Sequence, residues 1–196
     1  MAITILRKRP ANRQRGMTLI ELMIAMTVLA VGMVGILAII LSSMVSNNRN
    51  KLDTAGTFIA QGVMEQILVQ PPNQNPTLSL TDCAGTTSSV NTTGAASPGA
   101  GATLYTSSTA PTASLVDSIN FTQNAGSVTA GYQMFFATCN ANGVEATYDV
   151  RWNIINLTSS PTISKLVTVS ARQKGSTGNI RMFAPPVTLR SIAGQP

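Results

Sequence analysis

An α+β fold, one long N-terminal helix packed on a C-terminal antiparallel β-sheet, is predicted by three features of the sequence. Met17 to Val45 is apolar around its whole circumference, a pattern that suits a helix in a bilayer. Ser46 to Val69 carries an apolar stripe at helical spacing, so the helix continues with one dry face. Glu145 to Leu157 alternates apolar and polar residues, the period of a strand.

Between Leu22 and Leu41 only Thr27 interrupts the apolar and glycine residues. At about 1.5 Å per helical residue that row spans roughly 30 Å, enough to cross a membrane. A soluble core helix is rarely apolar on every side for this length, and that alternative is set aside. Leu52, Gly56, Ile59, Val63 and Ile67, widened by Met64 and Leu68, form the later stripe, while Asn50, Lys51, Gln61 and Glu65 lie elsewhere. Pro71-Pro72 ends the helix: Pro71 disfavours helical geometry at Gln70, and neither proline can donate an amide hydrogen bond. Unbroken from Met17 to Gln70, it would run about 80 Å.

Residues 84–114 are dominated by Ala, Gly, Ser and Thr without a charge, which predicts an exposed loop of variable conformation. Beyond it, a strand from about Tyr132 to Cys139 leads through Asn142-Gly143, a tight hairpin signal, into the alternating strand. There Ala146, Tyr148, Val150, Trp152 and Ile154 make the dry face, and Thr147, Asp149, Arg151 and Asn153 the wet one. After the Ser159-Ser160-Pro161 turn, Ile163, Val167, Val169 and Ala171 supply another apolar row, and a last strand is expected beside Pro185-Pro186, at a sheet edge. About four strands result. The chain thus divides into a basic leader (1–16), a helix (17–70, membrane-spanning to about 45), a loop-rich connection (71–131) and an antiparallel sheet region (132–196).

The formal charge of +6 would suit a nucleic-acid binder until it is divided by region. Arg7, Lys8, Arg9, Arg13 and Arg15 fall in the leader without an acid; the remainder has eight basic against seven acidic residues. Cations before a first membrane helix predict a cytoplasmic N-terminus and an exported C-terminal domain. A nuclear or nucleic-acid signal would leave the adjacent apolar helix unexplained. Gly16 stands at the border of the basic and apolar segments, whereas a secretory signal is cut after its apolar core, so the helix is expected to be retained.

The string Arg15-Gly-Met-Thr-Leu-Ile-Glu-Leu22, followed by the apolar run, resembles the class III signal of type IV prepilins and type II secretion pseudopilins. The resemblance implies the pilin fold, a cut between Gly16 and Met17 by the prepilin peptidase, N-methylation of Met17, and a role for Glu21 as the carboxylate that pairs with a neighbouring subunit's N-terminus. Gly32-Met-Val-Gly35 and the Ala55 to Ile67 stretch are most similar to PilV-type minor pilins. A minor pilus subunit is therefore expected. It would be stored in the bacterial inner membrane with its C-terminal domain in the periplasm, then carried to the pilus and cell surface, its partners the other pilins and the peptidase. A minor pseudopilin of a type II secretion system is the first alternative, and a DNA-uptake filament subunit the second. Nucleic acid is not expected as a partner: outside the leader, Arg172, Lys174, Arg181 and Arg190 are the one local group of cations available to phosphate.

Cys83 and Cys139 are the only cysteines and stand 56 positions apart. In an exported domain they are expected to form a disulfide, two unpaired thiols being the alternative. The chain has no histidine, which excludes a His-based triad, a His general base and a His-containing metal site. No phosphate-binding or dinucleotide motif occurs; Gly99-Ala-Gly101 follows no predicted strand and lacks the third glycine. Asp82, Asp117, Glu145 and Asp149 could pair with arginine or bind Ca²⁺, but are read as solvated surface charges. No enzyme activity, cofactor or metal is expected.

Overall fold

The computed structural model describes residues 16–157, 164–175 and 185–194. Residues 1–15 of the leader, the Ser159-Ser160-Pro161 turn, Ile163 and Arg181 lie outside the described residues. Helix α1 spans Leu19–Val69 and is followed by β1 (Thr77–Thr81), β2 (Thr87–Asn91), β3 (Ala100–Gly101), β4 (Gln133–Asn140), β5 (Gly143–Asn156), β6 (Lys165–Gln173) and β7 (Val187–Ala193). This is an α+β fold in which a long apolar N-terminal helix leads into an antiparallel sheet. The chain falls into two compact units, divided after Asn47.

In the first unit Thr18 starts the helix: its hydroxyl accepts the Glu21 amide at 3.4 Å, and its carbonyl accepts that of Leu22 at 3.2 Å. The apolar side chains from Met17 to Val45 are all exposed. Thr27, the one polar interruption, donates its hydroxyl to the Ile24 carbonyl at 2.8 Å, so the helix satisfies its own polar side chain.

In the second unit the remaining turns of α1 bury Ala60, Val63, Met64 and Ile67, with Leu52, Ala55, Ile59 and Leu68 packed alongside. Their counterparts on the sheet are Met134, Tyr148, Val150, Trp152, Ile154, Val167, Val169 and Ala171. Tyr148 bonds through its hydroxyl to the Leu52 carbonyl at 3.1 Å, and its ring lies against Gly56.

Among the described residues the main sheet has five strands rather than about four, all antiparallel, in the order β3-β5-β6-β7 with β4 also paired to β5. The β4–β5 turn is the two residues Ala141 and Asn142, since Asn140 pairs with Gly143. Asn142 therefore sits inside the turn and Gly143, at φ +111°, opens β5. The last strand, β7, starts directly after Pro185-Pro186 and lies at the sheet edge.

Two expectations change. The 84–114 segment is not simply a loop: it contains β2 and β3, and Val90, Thr92 and Ala102 within it are buried. Together β1 and β2 form a separate two-stranded hairpin whose Val90, Leu78 and Leu80 extend the core. The expected wet face of β5 is dry as well, with Asp149, Arg151 and Asn153 all buried. Residues 92–131 cover it. Gly99 and Gly101, both at positive φ, let this chain lie so close to β5 that a side chain would strike Asn153 at the first and Tyr132 and the Trp152 carbonyl at the second. Ala102, Ile119 and Phe121, with Leu104 and Val128, form a second small core in this covering segment.

Candidate functional site

At the head of the helix Gly16, Met17, Thr18 and Glu21 are exposed. Among the described residues a Cβ placed on Gly16 would meet nothing within 4 Å, so their packing does not demand glycine there. Thr18 and Glu21 stand at the spacing of a capping box, hydroxyl at the N-cap and carboxylate at the third helical position. Glu21 is the one ionisable side chain between Met17 and Val45, and among the described residues no cation pairs with it. The segment presents an apolar surface, broken from Leu22 to Leu41 only by Thr27 and headed by one acid.

Cys83 and Cys139 form a disulfide with a Cα–Cα distance of 6.0 Å. It ties the tip of the β1–β2 hairpin to the end of β4. Asp82 reinforces the joint: its carboxylate accepts the amides of Ala84 at 3.0 Å, Thr86 at 2.8 Å and Ala137 at 3.1 Å. Partial desolvation pushes the Asp82 carboxyl up, but these three backbone amides outweigh it and hold it below the usual Asp value.

On the covered face of the sheet, Arg151 donates from Nε and Nη2 to Asp149 and from Nη1 to the Gln123 carbonyl at 2.8 Å. Gln133 gives Asp149 a further bond at 2.7 Å. Phe121 lies under two guanidinium groups, Arg151 at 4.9 Å and Arg172 at 4.6 Å from the ring centre. Asp149, expected as a solvated charge, is thus half of a buried ion pair, because residues 92–131 roof that face. Asn153 donates to the carbonyls of Pro98 and Ala102, at 3.3 and 2.8 Å. Sequence reasoning missed this cluster; its one signal was the glycine spacing at 94, 99 and 101, which permits the close approach.

Lys165 is a second buried charge. Its ammonium donates to the Gln74 carbonyl at 3.2 Å, Asn75 Oδ1 at 2.8 Å and the Thr92 carbonyl at 3.2 Å, tying the end of the helix connection and β2 to β6. Burial pushes its pKa below the usual lysine value.

Of the cations considered for phosphate, Arg172 lies on Phe121, Lys174 on Phe135 at 3.9 Å, and Arg190 stands 3.8 Å from Asp117. Stacking and partial pairing occupy them separately instead of pointing them at one spot. Glu145 pairs with Lys51 of α1. Among the described residues no group of three or more Cys, Asp or Glu could hold a metal ion.

A family model described as the prokaryotic N-terminal methylation motif matches residues 11–37. The matched span contains Gly16, Met17, Glu21 and most of the apolar stretch, and it supports a type IV pilin-like family. Among the described residues α1 is the one helix long and apolar enough to cross a membrane. No curated protein and no solved structure matches the chain.

Proposed function

We propose that the chain is a minor type IV pilus subunit, of the PilV-like kind, that works by assembly and has no chemistry of its own. One observation carries this reading: a methylation motif runs directly into a helix whose apolar side chains are exposed from Met17 to Val45, with a single acid at its head. So large an apolar surface needs lipid or other helices around it. A subunit stored in the inner membrane, with its N-terminus cytoplasmic and its sheet domain periplasmic, meets that need first with lipid and then with neighbouring pilin helices.

In this reading the prepilin peptidase cuts between Gly16 and Met17 and the new N-terminus is methylated. Among the described residues nothing lies within 4 Å of a Cβ added at Gly16, which is compatible with a glycine kept for the peptidase. Glu21 then faces the N-terminus of a neighbouring subunit, and the sheet domain with its roofed face and disulfide is the part exposed on the filament.

The test is mass spectrometry of membrane and filament fractions, joined to deletion of the gene. The expected result is a chain that starts at a methylated Met17, is found in pilus preparations, and whose loss reduces piliation. An intact leader in piliated cells would overturn the processing. A deletion that abolishes protein secretion while leaving pili unchanged would instead place the chain among the pseudopilins.

A further inference from the structure

The two outer edges of the main sheet are finished differently. On the β4 side the outward amide of Ala137 is bonded to Asp82, the disulfide holds Cys139 to the hairpin, and the Asn91 amide donates to the Gly131 carbonyl at 2.8 Å. On the other side β7 pairs with β6 in unbroken register from Lys165↔Ala193 to Ala171↔Val187. Among the described residues no strand pairs with its other edge.

An extended edge with free amides and carbonyls is a template for another strand. Edges that must stay single are shortened, bulged, or broken by proline or lysine. β7 is seven residues long, shows no register shift, and contains neither proline nor lysine. Arg190 stands opposite Thr168 and Ile192 opposite Leu166, so these two side chains share one face of the strand. Ile192 is 63% exposed. The nearest acid to Arg190 is Asp117 at 3.8 Å, beyond hydrogen-bond range, so its charge is incompletely answered within the chain.

We infer that β7 is a docking edge for an extended segment of a neighbouring filament subunit, which adds to the sheet as a further strand. That segment places a carboxylate opposite Arg190 and an apolar side chain opposite Ile192, two residues apart on the same face. Backbone hydrogen bonds supply the attachment, and the charged and apolar pairs fix the register. The inference rests on the reading of the chain as a filament subunit.

Hydrogen exchange read by mass spectrometry on peptides covering 187–193 tests it, with the full mature chain in detergent micelles and in purified filaments. The expected result is fast exchange in micelles and exchange slower by about tenfold or more in filaments, with β6 unchanged. Arg190→Glu is expected to reduce filament incorporation several-fold without loss of the folded chain in the membrane. If the chain is absent from filaments, the functional reading falls and the docking edge with it. If it is present but β7 exchanges as fast as in micelles, or if β7 is already slow in micelles, the docking edge alone is wrong. Wild-type incorporation of Arg190→Glu would overturn the acidic character assigned to the partner strand.

Discussion

Arg151 and Asp149 lie two residues apart on β5 and meet in a forked ion pair, with Nε to Oδ1 at 3.0 Å and Nη2 to Oδ2 at 2.7 Å. Arg151 is 2% exposed and Asp149 4%. Their side chains share one face of the strand, and what shuts out water is the covering segment that Arg151 itself binds through Gln123. Removing one partner leaves a buried charge unanswered, so Arg151→Met should cost about 3–5 kcal/mol. The double change Arg151→Met with Asp149→Leu should cost clearly less. Denaturant unfolding of the chain in detergent measures both, and equal losses would show that packing against Phe121, not the charge pair, holds this face.

Gly99 offers a test of how closely the covering segment must approach. Its φ is +94°, and a Cβ there would strike the Asn153 amide and the Ile155 side chain. Gly99→Ala combines left-handed strain of about 1–2 kcal/mol with overpacking of about 1–3 kcal/mol. Gly85, also at positive φ but with nothing within 4 Å of an added Cβ, separates the two: Gly85→Ala incurs the strain alone. The expected order of unfolding midpoints is wild type, Gly85→Ala, Gly99→Ala, the last being lowest.

Asp82 predicts an acid sensitivity of the joint between the hairpin and β4. Its folded carboxyl holds a proton less tightly than in the unfolded chain, because three backbone amides favour the charged form despite partial desolvation. The stability this contributes is complete above the ordinary Asp value near 3.9 and is lost as pH falls from there through the lower folded value. Wild type should therefore lose melting temperature more steeply below about pH 4 than Asp82→Asn does. Parallel curves for the two would remove Asp82 as a contributor.

The elements were legible in the sequence where one physical period dominated. The apolar row to Val45, the stripe at Leu52, Ile59, Val63 and Ile67, and the alternation at 146–154 each name an element and a dry face. The second face of β5 was not legible. Thr147, Asp149, Arg151 and Asn153 carry a polar pattern that suits water equally well as a roof of backbone carbonyls, and only the fold shows that Pro98, Ala102 and Gln123 supply those carbonyls. Composition misled for the same reason. Small uncharged residues read as loose chain, yet at Gly99 and Gly101 smallness is what allows the backbone to reach the sheet. At the head of the helix the sequence carries nearly all the information, since Gly16, Met17 and Glu21 are exposed and have no tertiary partners among the described residues.

Glu21 can be probed for its charge apart from its place in the helix. It stands three residues after Thr18, whose hydroxyl accepts its amide, which is the spacing at which a carboxylate can complete a capping box. Glutamine serves that box as well as glutamate does but carries no charge, while alanine removes both functions. Cleavage after Gly16 would create an α-amine at Met17, largely charged at neutral pH with an unperturbed pKa near 8. A carboxylate and an amine that neutralise each other across two subunits remove two charges from an apolar environment where each alone costs up to about 3 kcal/mol. Glu21→Gln and Glu21→Ala should therefore both be inserted and processed, and both should be several-fold depleted from filaments, as read by immunoblots of membrane and sheared-pilus fractions. If Glu21→Gln is incorporated like wild type and only Glu21→Ala fails, the residue caps a helix and pairs with nothing. If both are incorporated normally, Glu21 is a tolerated polar residue and the inter-subunit pairing is wrong.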